Sequence, residues 1–406
     1  MADLRVNFCG VPFKNPIVVS SIEASDSLEH IINAIETGVG GVVIKTVTDK
    51  PKMSELTRHS KYAILNDKGE IIQGKIPRFF VFYARSGYSV KPPEEWASII
   101  REARKHADLK NVRLIGSLGA STLHKWVELA RMEEDSGVCM LELNFGCPHP
   151  SQMEEVGAGM LLGQDPKAAG EITRTVVKAV HIPVLVKLTP QVNDVTAMAR
   201  VAKKAGAAGV LLTNRYTGFA VNIEEGKPYI DGRAGVGGPW VRHLALRWVN
   251  AVYLEGGIPI VGTNGIYDWR EAVEFIMSGA TLMEIGSVLM LKGYEHAGKI
   301  LKGFEQFMDR KGYKNVDSMI GIASRRALTY EQTYELPRMV AVIDEEKCTR
   351  CYNCVRSCFY EALKEGEDRV RANSDNCIGC ELCYSICPAD AISYRTVSHN
   401  VAGIRK

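Results

Sequence analysis

The sequence predicts an α/β protein in which a (β/α)8 TIM barrel, residues 1–311, is followed by a small cysteine-rich domain, residues 338–396. Three observations lead to this fold class. Eight short apolar runs alternate with helical patterns, three long connections each follow an apolar run, and eight of the eleven cysteines lie in two regular runs. Residues 312–337 are predicted to form a helical connector, and residues 397–406 a basic tail.

The predicted elements begin with a hairpin, because residues 4–18 alternate apolar and polar side chains around Cys9-Gly10. The strands that follow are apolar almost throughout, as in a parallel sheet buried on both faces. They are residues 16–21, 41–46, 112–118, 139–145, 184–189, 209–214, 258–262 and 281–286. The helical patterns are residues 28–37, 94–106, 123–136, 167–180, 194–205, 241–253, 269–278 and 293–311. Eight such units favour a closed barrel, with a doubly wound open sheet as the alternative.

Three connections are too long for plain loops between a strand and its helix. They are residues 47–93, 146–166 and 215–240, and each follows a predicted strand. Because all strands of a barrel end at the same face, these connections should meet at its carboxyl end, where barrels build their active sites. Their glycines and polar residues suit a lid or a substrate pocket.

Two lysines end strand-like apolar runs. Lys45 closes Val-Val-Ile-Lys, and Lys187 closes Val-Leu-Val-Lys. Each is either a charge that reaches solvent from a strand tip or a fixed cation at the barrel mouth. A fixed cation there could stabilise an anion such as a reduced flavin.

Glycine and hydroxyl residues follow the last two predicted strands. They occur in Gly262-Thr263-Asn264-Gly265 and in Gly286-Ser287. Loops at these two places commonly form the phosphate site of a barrel, so they indicate a phosphate-bearing cofactor. Plain turn chemistry is the alternative.

Cys147 lies just past the fourth predicted strand, in a loop opened by Gly146 and Pro148. A lone cysteine is usually a small buried apolar residue, but its place at the catalytic face favours a proton donor or acceptor. Asn144 and Asn214 end the fourth and sixth predicted strands. Each amide can offer both a donor and an acceptor to a polar substrate.

The cysteine-rich domain contains two runs of the form Cys-x2-Cys-x2-Cys-x3-Cys, and a proline follows the second. This spacing is typical of a bacterial-type ferredoxin with two [4Fe–4S] clusters, in which the last cysteine of each run ligates the other cluster. The predicted ligands are Cys348, Cys351, Cys354 and Cys387 for one cluster, and Cys377, Cys380, Cys383 and Cys358 for the other. Two zinc sites or a disulfide framework are the alternatives, but zinc does not need the trailing cysteine and proline, and disulfides need an oxidising compartment.

Composition limits the classes of function. The 406 residues are 46% apolar and 24% charged, with a formal net charge of +3, so no basic face for nucleic acid is indicated. No stretch approaches the ~20 apolar residues of a membrane span, and the N-terminus lacks the apolar core of a signal peptide. Thiols and clusters together predict a cytoplasmic protein.

The sequence contains no dinucleotide-binding fingerprint. Gly157-x-Gly159-x3-Gly163 has the wrong spacing and does not follow a strand. Reducing equivalents must therefore come from outside the chain, from an NAD(P)H-oxidising flavoprotein subunit or, as the alternative, from a ferredoxin. We also expect the chain to form an oligomer.

Several segments carry a family resemblance that covers nearly the whole chain. They are Leu4-Arg-Val-Asn-Phe-Cys-Gly, Val-Val-Ile-Lys45-Thr46, Glu-Leu-Asn144-Phe-Gly-Cys147-Pro-His, Gly163-Gln-Asp-Pro, Lys187-Leu-Thr-Pro, Thr213-Asn214 and Ala-Val-Ile-Asp-Glu-Glu-Lys-Cys348. Together they resemble the flavin and iron–sulfur half of the dihydropyrimidine dehydrogenases, especially the stand-alone bacterial catalytic subunits of that family. The dihydroorotate dehydrogenases are more distantly similar.

The resemblance implies FMN as the flavin and Cys147 as the catalytic cysteine, which exchanges a proton at one carbon while flavin N5 exchanges a hydride with the next. Lys187 would lie near the flavin ring. The implied FMN-binding residues are Ser21, Lys45, Thr46, Lys187, Gly238, Thr263, Asn264, Gly265, Gly286 and Ser287.

Three positions depart from the family pattern of the pyrimidine pocket. Ser89 stands where the family has an asparagine after the second strand, and Gly146 replaces a serine before Cys147. Arg215 replaces a threonine after Asn214, and an arginine there could bind a carboxylate. The expected substrate-binding residues are thus Asn144, Asn214, Ser89 and Arg215.

Two hypotheses follow. In the first, the chain is an enzyme in which electrons enter through the ferredoxin-like domain and leave as hydride to an activated C=C bond beside a carbonyl, or flow in reverse. Its substrate is pyrimidine-like or, as an alternative, a carboxylated compound. In the second, the chain is an electron-transfer subunit whose flavin reduces another protein.

Overall fold

The structure is a computed structural model that describes residues 2–149 and 159–397. The chain divides into two compact units between Arg326 and Ala327. This boundary lies within the expected connector, residues 312–337. None of the described helices is long and apolar enough to cross a membrane.

Eight parallel strands form a closed barrel in the first unit, as the sequence predicts. The strands are β1 Ile17–Val19, β2 Gly41–Val43, β3 Arg113–Gly119, β4 Met140–Phe145, β5 Val184–Leu188, β6 Gly209–Leu212, β7 Ile260–Thr263 and β8 Leu282–Ile285. Neighbours in the barrel are consecutive in the chain, and β8 pairs with β1 so that Glu284 lies opposite Val18. The barrel is therefore closed, and the open-sheet alternative is wrong.

In the part of the chain that the structure describes, eight long helices surround the barrel, and their bounds lie close to the predicted ones. They are α1 Leu28–Glu36, α2 Pro93–Leu109, α3 Leu123–Ser136, α4 Pro166–Ala179, α5 Val195–Lys204, α6 Arg242–Glu255, α7 Trp269–Ser278 and α8 Glu295–Lys311. Side-chain caps fix several of the starts, because a cap satisfies an amide that has no partner within the helix. Ser27 accepts from the His30 amide, and Asp268 accepts from the Arg270 amide.

The predicted N-terminal hairpin is confirmed and closes the amino end of the barrel. Strands Val6–Phe8 and Val11–Phe13 pair across Cys9 and Gly10, which both have positive φ, at 54° and 84°. The rings of Phe8 and Phe13 are buried against the first residues of β6 and β2. Those residues are glycines because a Cβ there would lie 3.1 Å from a ring carbon.

The long connections after β2 and β6 are not simple loops, because together they form a four-stranded antiparallel sheet, here termed the cap sheet. Its order is Tyr216–Gly218, Ala234–Gly237, Val81–Arg85 and Lys61–Leu65. Other short elements of this face are strand Val47–Thr48, helices Pro51–Arg58, Gly159–Gly163 and Ser287–Lys292, the strand pair Val221–Asn222 and Lys227–Pro228, and 3-10 turns Glu23–Ser25, Tyr229–Asp231 and Pro239–Val241. Both connections are therefore fixed by backbone hydrogen bonds across the cap sheet.

The unit from Ala327 onward is small and built around two hairpin-like strand pairs. Its elements are helix Tyr330–Tyr334, strand Met339–Ile343, helix Asn353–Arg356, strands Leu363–Glu365 and Val370–Ala372, helix Leu382–Ser385 and strand Ile392–Thr396. The first and last strands pair antiparallel, as do the middle two. Few side chains are buried here, so such a unit needs bound clusters to hold it together.

One buried carboxyl in the barrel wall has little to stabilise its charge. Glu133 of α3 is fully buried, and neither of its oxygens has a hydrogen bond of ordinary geometry within the described residues. The carboxyl fits against Gly116 of β3, where a Cβ would lie 2.1 Å from an oxygen. Burial, and then the nearby Glu142, raise the pKa of Glu133 well above its ordinary value of 4.5, although the Ser117 amide acts in the opposite sense.

We predict that Glu133→Gln stabilises the protein at alkaline pH and not near pH 5. A carboxyl with a raised pKa holds a proton in the folded state that the unfolded chain has already released, so the wild type loses stability as pH rises above about 4.5. The neutral amide does not titrate. Thermal unfolding at pH 5 and pH 8.5 should show a gain on the order of 2 °C or more only at the higher pH. Glu128→Gln, an exposed change on the same helix, is the control, and a gain independent of pH would contradict the prediction.

Candidate active site at the carboxyl end of the barrel

A cavity opens at the carboxyl end of the barrel, below the cap sheet. All ten residues expected to hold FMN line it: Ser21, Lys45, Thr46, Lys187, Gly238, Thr263, Asn264, Gly265, Gly286 and Ser287. Cys147 and three of the four expected substrate contacts, Asn144, Asn214 and Arg215, line the same cavity. The structure thus brings together side chains from most of the barrel strands.

One end of the cavity is formed by the loops after β7 and β8. Asn264 and Gly265 both have positive φ, at 82° and 86°. The side-chain Nδ2 of Asn264 donates to the Thr213 and Asn214 carbonyls at 2.7 and 2.8 Å. The Ser287 hydroxyl contacts the hydroxyl of Tyr267, which the sequence reading missed. Two hydroxyls beside a glycine-containing turn at the ends of β7 and β8 suit a phosphate group.

Lys187 is a fixed cation in the barrel interior. Its Nζ lies 3.0 Å from Glu142 Oε1 and 3.2 Å from Glu284 Oε2, and all three side chains are buried. Burial opposes the charge, but the two carboxylates outweigh it and hold the pKa of Lys187 above its ordinary value. Burial and then Glu284 raise the pKa of Glu142, although Lys187 acts to lower it. Lys187 therefore keeps its charge, which suits a cation beside a flavin that becomes anionic on reduction.

Lys45 is not a free cation, because Glu23 pairs with it. The Lys45 Nζ lies 2.9 Å from Glu23 Oε1, and Ser86 also donates to this carboxylate. Burial would raise the pKa of Glu23, but Lys45 and Ser86 overcome that effect and lower it. Glu23 lies in the loop after β1, far from Lys45 in the sequence, and no local pattern connects the two residues.

The two expected asparagines are in direct contact. Asn214 Nδ2 donates to Asn144 Oδ1 at 3.3 Å, and Asn144 Nδ2 donates to the Thr46 hydroxyl at 3.2 Å. The contact also explains Gly146, since a Cβ there would lie 2.5 Å from Asn214 Cβ and 2.9 Å from the Leu188 carbonyl. The serine of the family pattern therefore does not fit this arrangement.

The Cys147 thiol is buried in the cavity wall, with 5% of the residue exposed, and packs with Met53 and Tyr88. Burial raises its pKa, while the His149 amide, Arg215, Lys45 and Tyr88 act in the opposite sense. The raised pKa keeps the thiol protonated at neutral pH. A protonated thiol that faces a cavity can deliver a proton there.

Arg215 is a cation in the cavity wall that forms no ion pair with the carboxylates of the described residues. Its Nη1 donates to the Ala84 carbonyl at 3.1 Å, and its Nη2 lies 3.5 Å from His149 Nε2. The guanidinium packs on Gly235, where a Cβ would lie 2.9 Å from its central carbon. Burial and then Arg215 lower the pKa of His149, which therefore stays neutral beside the guanidinium.

Ser89 is not among the residues that line the cavity. Its hydroxyl accepts from Trp96 Nε1 at 2.7 Å and from the Lys91 amide at 3.1 Å, so it fixes the start of α2 instead. Phe82 and Ala84 line the cavity from strand Val81–Arg85, Ser86, Gly87 and Tyr88 line it from the loop that follows, and the lining ends before Ser89. The alternation typical of a strand could have indicated Phe82 and Ala84. Glu23, Tyr62, Tyr267 and Glu284 also line the cavity and were missed.

The eight cysteines of the second unit surround two cavities of about 340 and 360 Å³. Cys348, Cys351, Cys354 and Cys387 line the first, and Cys358, Cys377, Cys380 and Cys383 line the second. The last cysteine of each run thus lies with the first three of the other run, as the spacing predicts. Four thiols that converge on one space fit the ligand set of an iron–sulfur cluster.

Two family models match the chain, one for each unit. The model described as dihydroorotate dehydrogenase matches residues 86–308, and the 4Fe-4S dicluster domain matches residues 341–394.

Relatives match either the whole chain or the barrel. The NAD-dependent dihydropyrimidine dehydrogenase subunit PreA of Escherichia coli K12 is 29% identical over 404 residues, with 96% of this chain and 95% of the relative covered. The catalytic subunit of dihydroorotate dehydrogenase B (NAD(+)) of Pyrococcus abyssi is 30% identical over 324 residues, with 79% of this chain and 99% of the relative covered. The corresponding subunit of Methanocaldococcus jannaschii is 28% identical, covering 79% of this chain and 98% of the relative.

FMN and two [4Fe–4S] clusters are the cofactors of this combination of domains, and the cavity and the two cysteine sets fit them. The chain belongs to the dihydroorotate dehydrogenase family, and it is a flavin- and iron–sulfur-dependent oxidoreductase of the class that acts on CH–CH bonds.

Proposed function

We propose that the chain reduces, or in reverse oxidises, the C=C bond beside a carbonyl in a pyrimidine-like or related substrate, with Cys147 exchanging the proton. The observation that carries this proposal is the buried, protonated Cys147 thiol in the wall of the cavity that also contains Lys187. FMN, when bound, supplies the hydride chemistry. The thiol holds the proton that balances it, and the cap sheet above the cavity helps to exclude water.

The contact between Asn144 and Asn214 supports a substrate with amide-like edges. Their side chains carry both donors and acceptors and face the cavity next to Cys147. A ring with alternating N–H and C=O groups, as in a pyrimidine, could satisfy both amides at once. The names of the relatives, which include a dihydropyrimidine dehydrogenase subunit and dihydroorotate dehydrogenase subunits, point to substrates of this kind.

Arg215 supports a second candidate, in which the substrate also carries a carboxylate. The guanidinium lies in the cavity wall, held by a carbonyl and a neutral imidazole rather than by an acid. A partly buried cation without an anionic partner in the described residues favours a ligand that provides one. Arg215 can bind a carboxylate with two parallel hydrogen bonds.

We propose that electrons reach the flavin through the two clusters from a partner in the cytoplasm. The sequence lacks a nicotinamide-binding fingerprint, and the relative from Escherichia coli is named as a subunit of an NAD-dependent enzyme. An NAD(P)H-oxidising flavoprotein subunit is therefore the proposed donor, with a ferredoxin as the alternative and an oligomer as the working form. If the reduced flavin is reoxidised only by another protein and by no small molecule, the chain is an electron carrier instead.

We predict that Cys147→Ala keeps the flavin absorbance and the full iron content but lowers turnover by about 10²–10⁴-fold, because the proton donor is lost. The measurement is reoxidation of the dithionite-reduced protein by uracil, thymine, orotate and fumarate. Cys139→Ala, which changes a partly buried thiol outside the cavity, should keep full activity. Wild-type turnover in Cys147→Ala would exclude the mechanism.

We predict that Arg215→Gln separates the two substrate candidates. If the substrate is carboxylated, kcat/KM for orotate or fumarate should fall by about 10²-fold or more, because a bidentate charged contact is lost. Uracil reduction should change far less. Arg247→Gln, a change at an arginine that stacks on Trp248 and does not line the cavity, is the control. Equal losses for charged and uncharged substrates would argue against a carboxylate contact.

We predict that each cluster takes three ligands from one cysteine run and the fourth from the last cysteine of the other run. Cys387→Ala and Cys348→Ala should remove the same cluster, and Cys358→Ala should remove the other, each with a loss of about half the iron. Iron content and the electron paramagnetic resonance spectrum of the reduced protein measure this. Matching spectra for Cys387→Ala and Cys383→Ala would mean that each run holds its own cluster.

A further inference from the structure

Tyr88 is a buried phenol beside the Cys147 thiol, and the proton exchange proposed for Cys147 assigns it no role. The side chain packs with Cys147 and Met53, and both Tyr88 and Cys147 line the cavity. The hydroxyl has no hydrogen bond of ordinary geometry to any of the residues that the structure describes. A buried hydroxyl left in this state destabilises the folded protein, so its position needs an explanation.

The Tyr88 ring is held in place from several sides. The Tyr88 amide donates to the Met53 carbonyl at 3.0 Å, and its carbonyl accepts from the Thr57 hydroxyl at 2.6 Å. The ring passes over Gly119 at the end of β3, where a Cβ would lie 2.8 Å from a ring carbon. The hydroxyl is therefore presented to the thiol by a fixed backbone rather than by a mobile loop.

The hydrogen-bonding properties of sulfur indicate which state of Cys147 this hydroxyl would stabilise. A neutral thiol is a weak acceptor, whereas a thiolate accepts a charge-assisted hydrogen bond that is about twice as strong as a neutral one. The O–H of Tyr88 is thus matched to the state in which Cys147 has given up its proton. Burial and then the Cys147 sulfur raise the pKa of Tyr88 well above its ordinary value, so the phenol remains a donor.

We propose that Tyr88 is a second catalytic residue, whose O–H donates a hydrogen bond to the Cys147 sulfur as that sulfur loses its proton to the substrate. In the reductive direction the S–H bond breaks and a C–H bond forms, while Tyr88 keeps its own proton. In the oxidative direction the same hydrogen bond holds the thiolate ready to accept a proton. Arg215 and Lys45 are the charges that also act on this sulfur, and His149 beside them is neutral. This inference rests on the proposed role of Cys147.

The test is Tyr88→Phe, which keeps the ring and removes the donor. The pH dependence of iodoacetamide alkylation at Cys147, located by peptide mass spectrometry in the holoenzyme, reports the pKa of the thiol without any turnover. We expect a higher pKa, seen as an alkylation rate at least about tenfold lower at pH 8, because one pKa unit is a factor of ten. We also expect kcat to fall by about tenfold or more with KM little changed.

Tyr83→Phe is the matched control, since Tyr83 is a buried tyrosine of the same segment that does not line the cavity. It should leave both the alkylation profile and kcat unchanged. If Tyr88→Phe does not retain flavin and iron, Tyr88→Leu is the second variant, with the same expected rise in thiol pKa.

An unchanged thiol pKa in Tyr88→Phe, or a raised pKa with wild-type kcat, would overturn the proposal. Failure of the proposed function gives a different pattern. In that case Cys147→Ala remains active, whatever the alkylation profile of the Tyr88 variants.

Discussion

Closure of the barrel, through the pairing of β8 with β1, is the constraint on which the rest of the first unit depends. Closure gathers the carboxyl ends of all eight strands into one ring, so that residues far apart in the chain become neighbours. Lys187 from β5 meets Glu142 from β4 and Glu284 from β8 inside that ring. An open sheet would leave β1 and β8 at opposite edges, and neither this ion group nor the cavity above it would form.

Positive charge is organised differently at three points around the cavity. Lys187 is held between two carboxylates, Lys45 is matched by Glu23, and Arg215 has only neutral partners among the described residues. The first two cations have carboxylate partners within the protein, whereas the charge of Arg215 is left to be balanced by something that enters the cavity. The guanidinium near Cys147 therefore favours an anionic ligand.

Much of the fold could be predicted from the sequence because its signals are local. Apolar runs, helical spacing and caps such as Ser27 depend on neighbouring residues, and the cysteine spacing reports a ligand geometry that is itself local. The cap sheet could not be predicted in this way, because strands Val81–Arg85 and Ala234–Gly237 pair although they are far apart in the chain.

The same distinction holds within the candidate site. Cys147 and Lys187 stand at strand ends, where position alone suggests a role. Glu23 becomes important only through its contact with Lys45, and no sequence spacing predicts that contact. Ser89 was expected at the cavity because the family resemblance places a pocket residue there, but its hydroxyl instead accepts from Trp96 Nε1 and the Lys91 amide.

The cap sheet has a consequence for how this site can change over evolutionary time. Ser86 and Tyr88 follow one of its strands, Arg215 precedes another, and the two connections that carry them are tied by the pairing of Val81–Arg85 with Ala234–Gly237. Neither connection can be exchanged, lengthened or shifted in register without disturbing the other. New substrate preferences should therefore arise by point substitutions within a conserved register, or by paired changes in both connections, rather than by the single-loop replacements that many barrels tolerate.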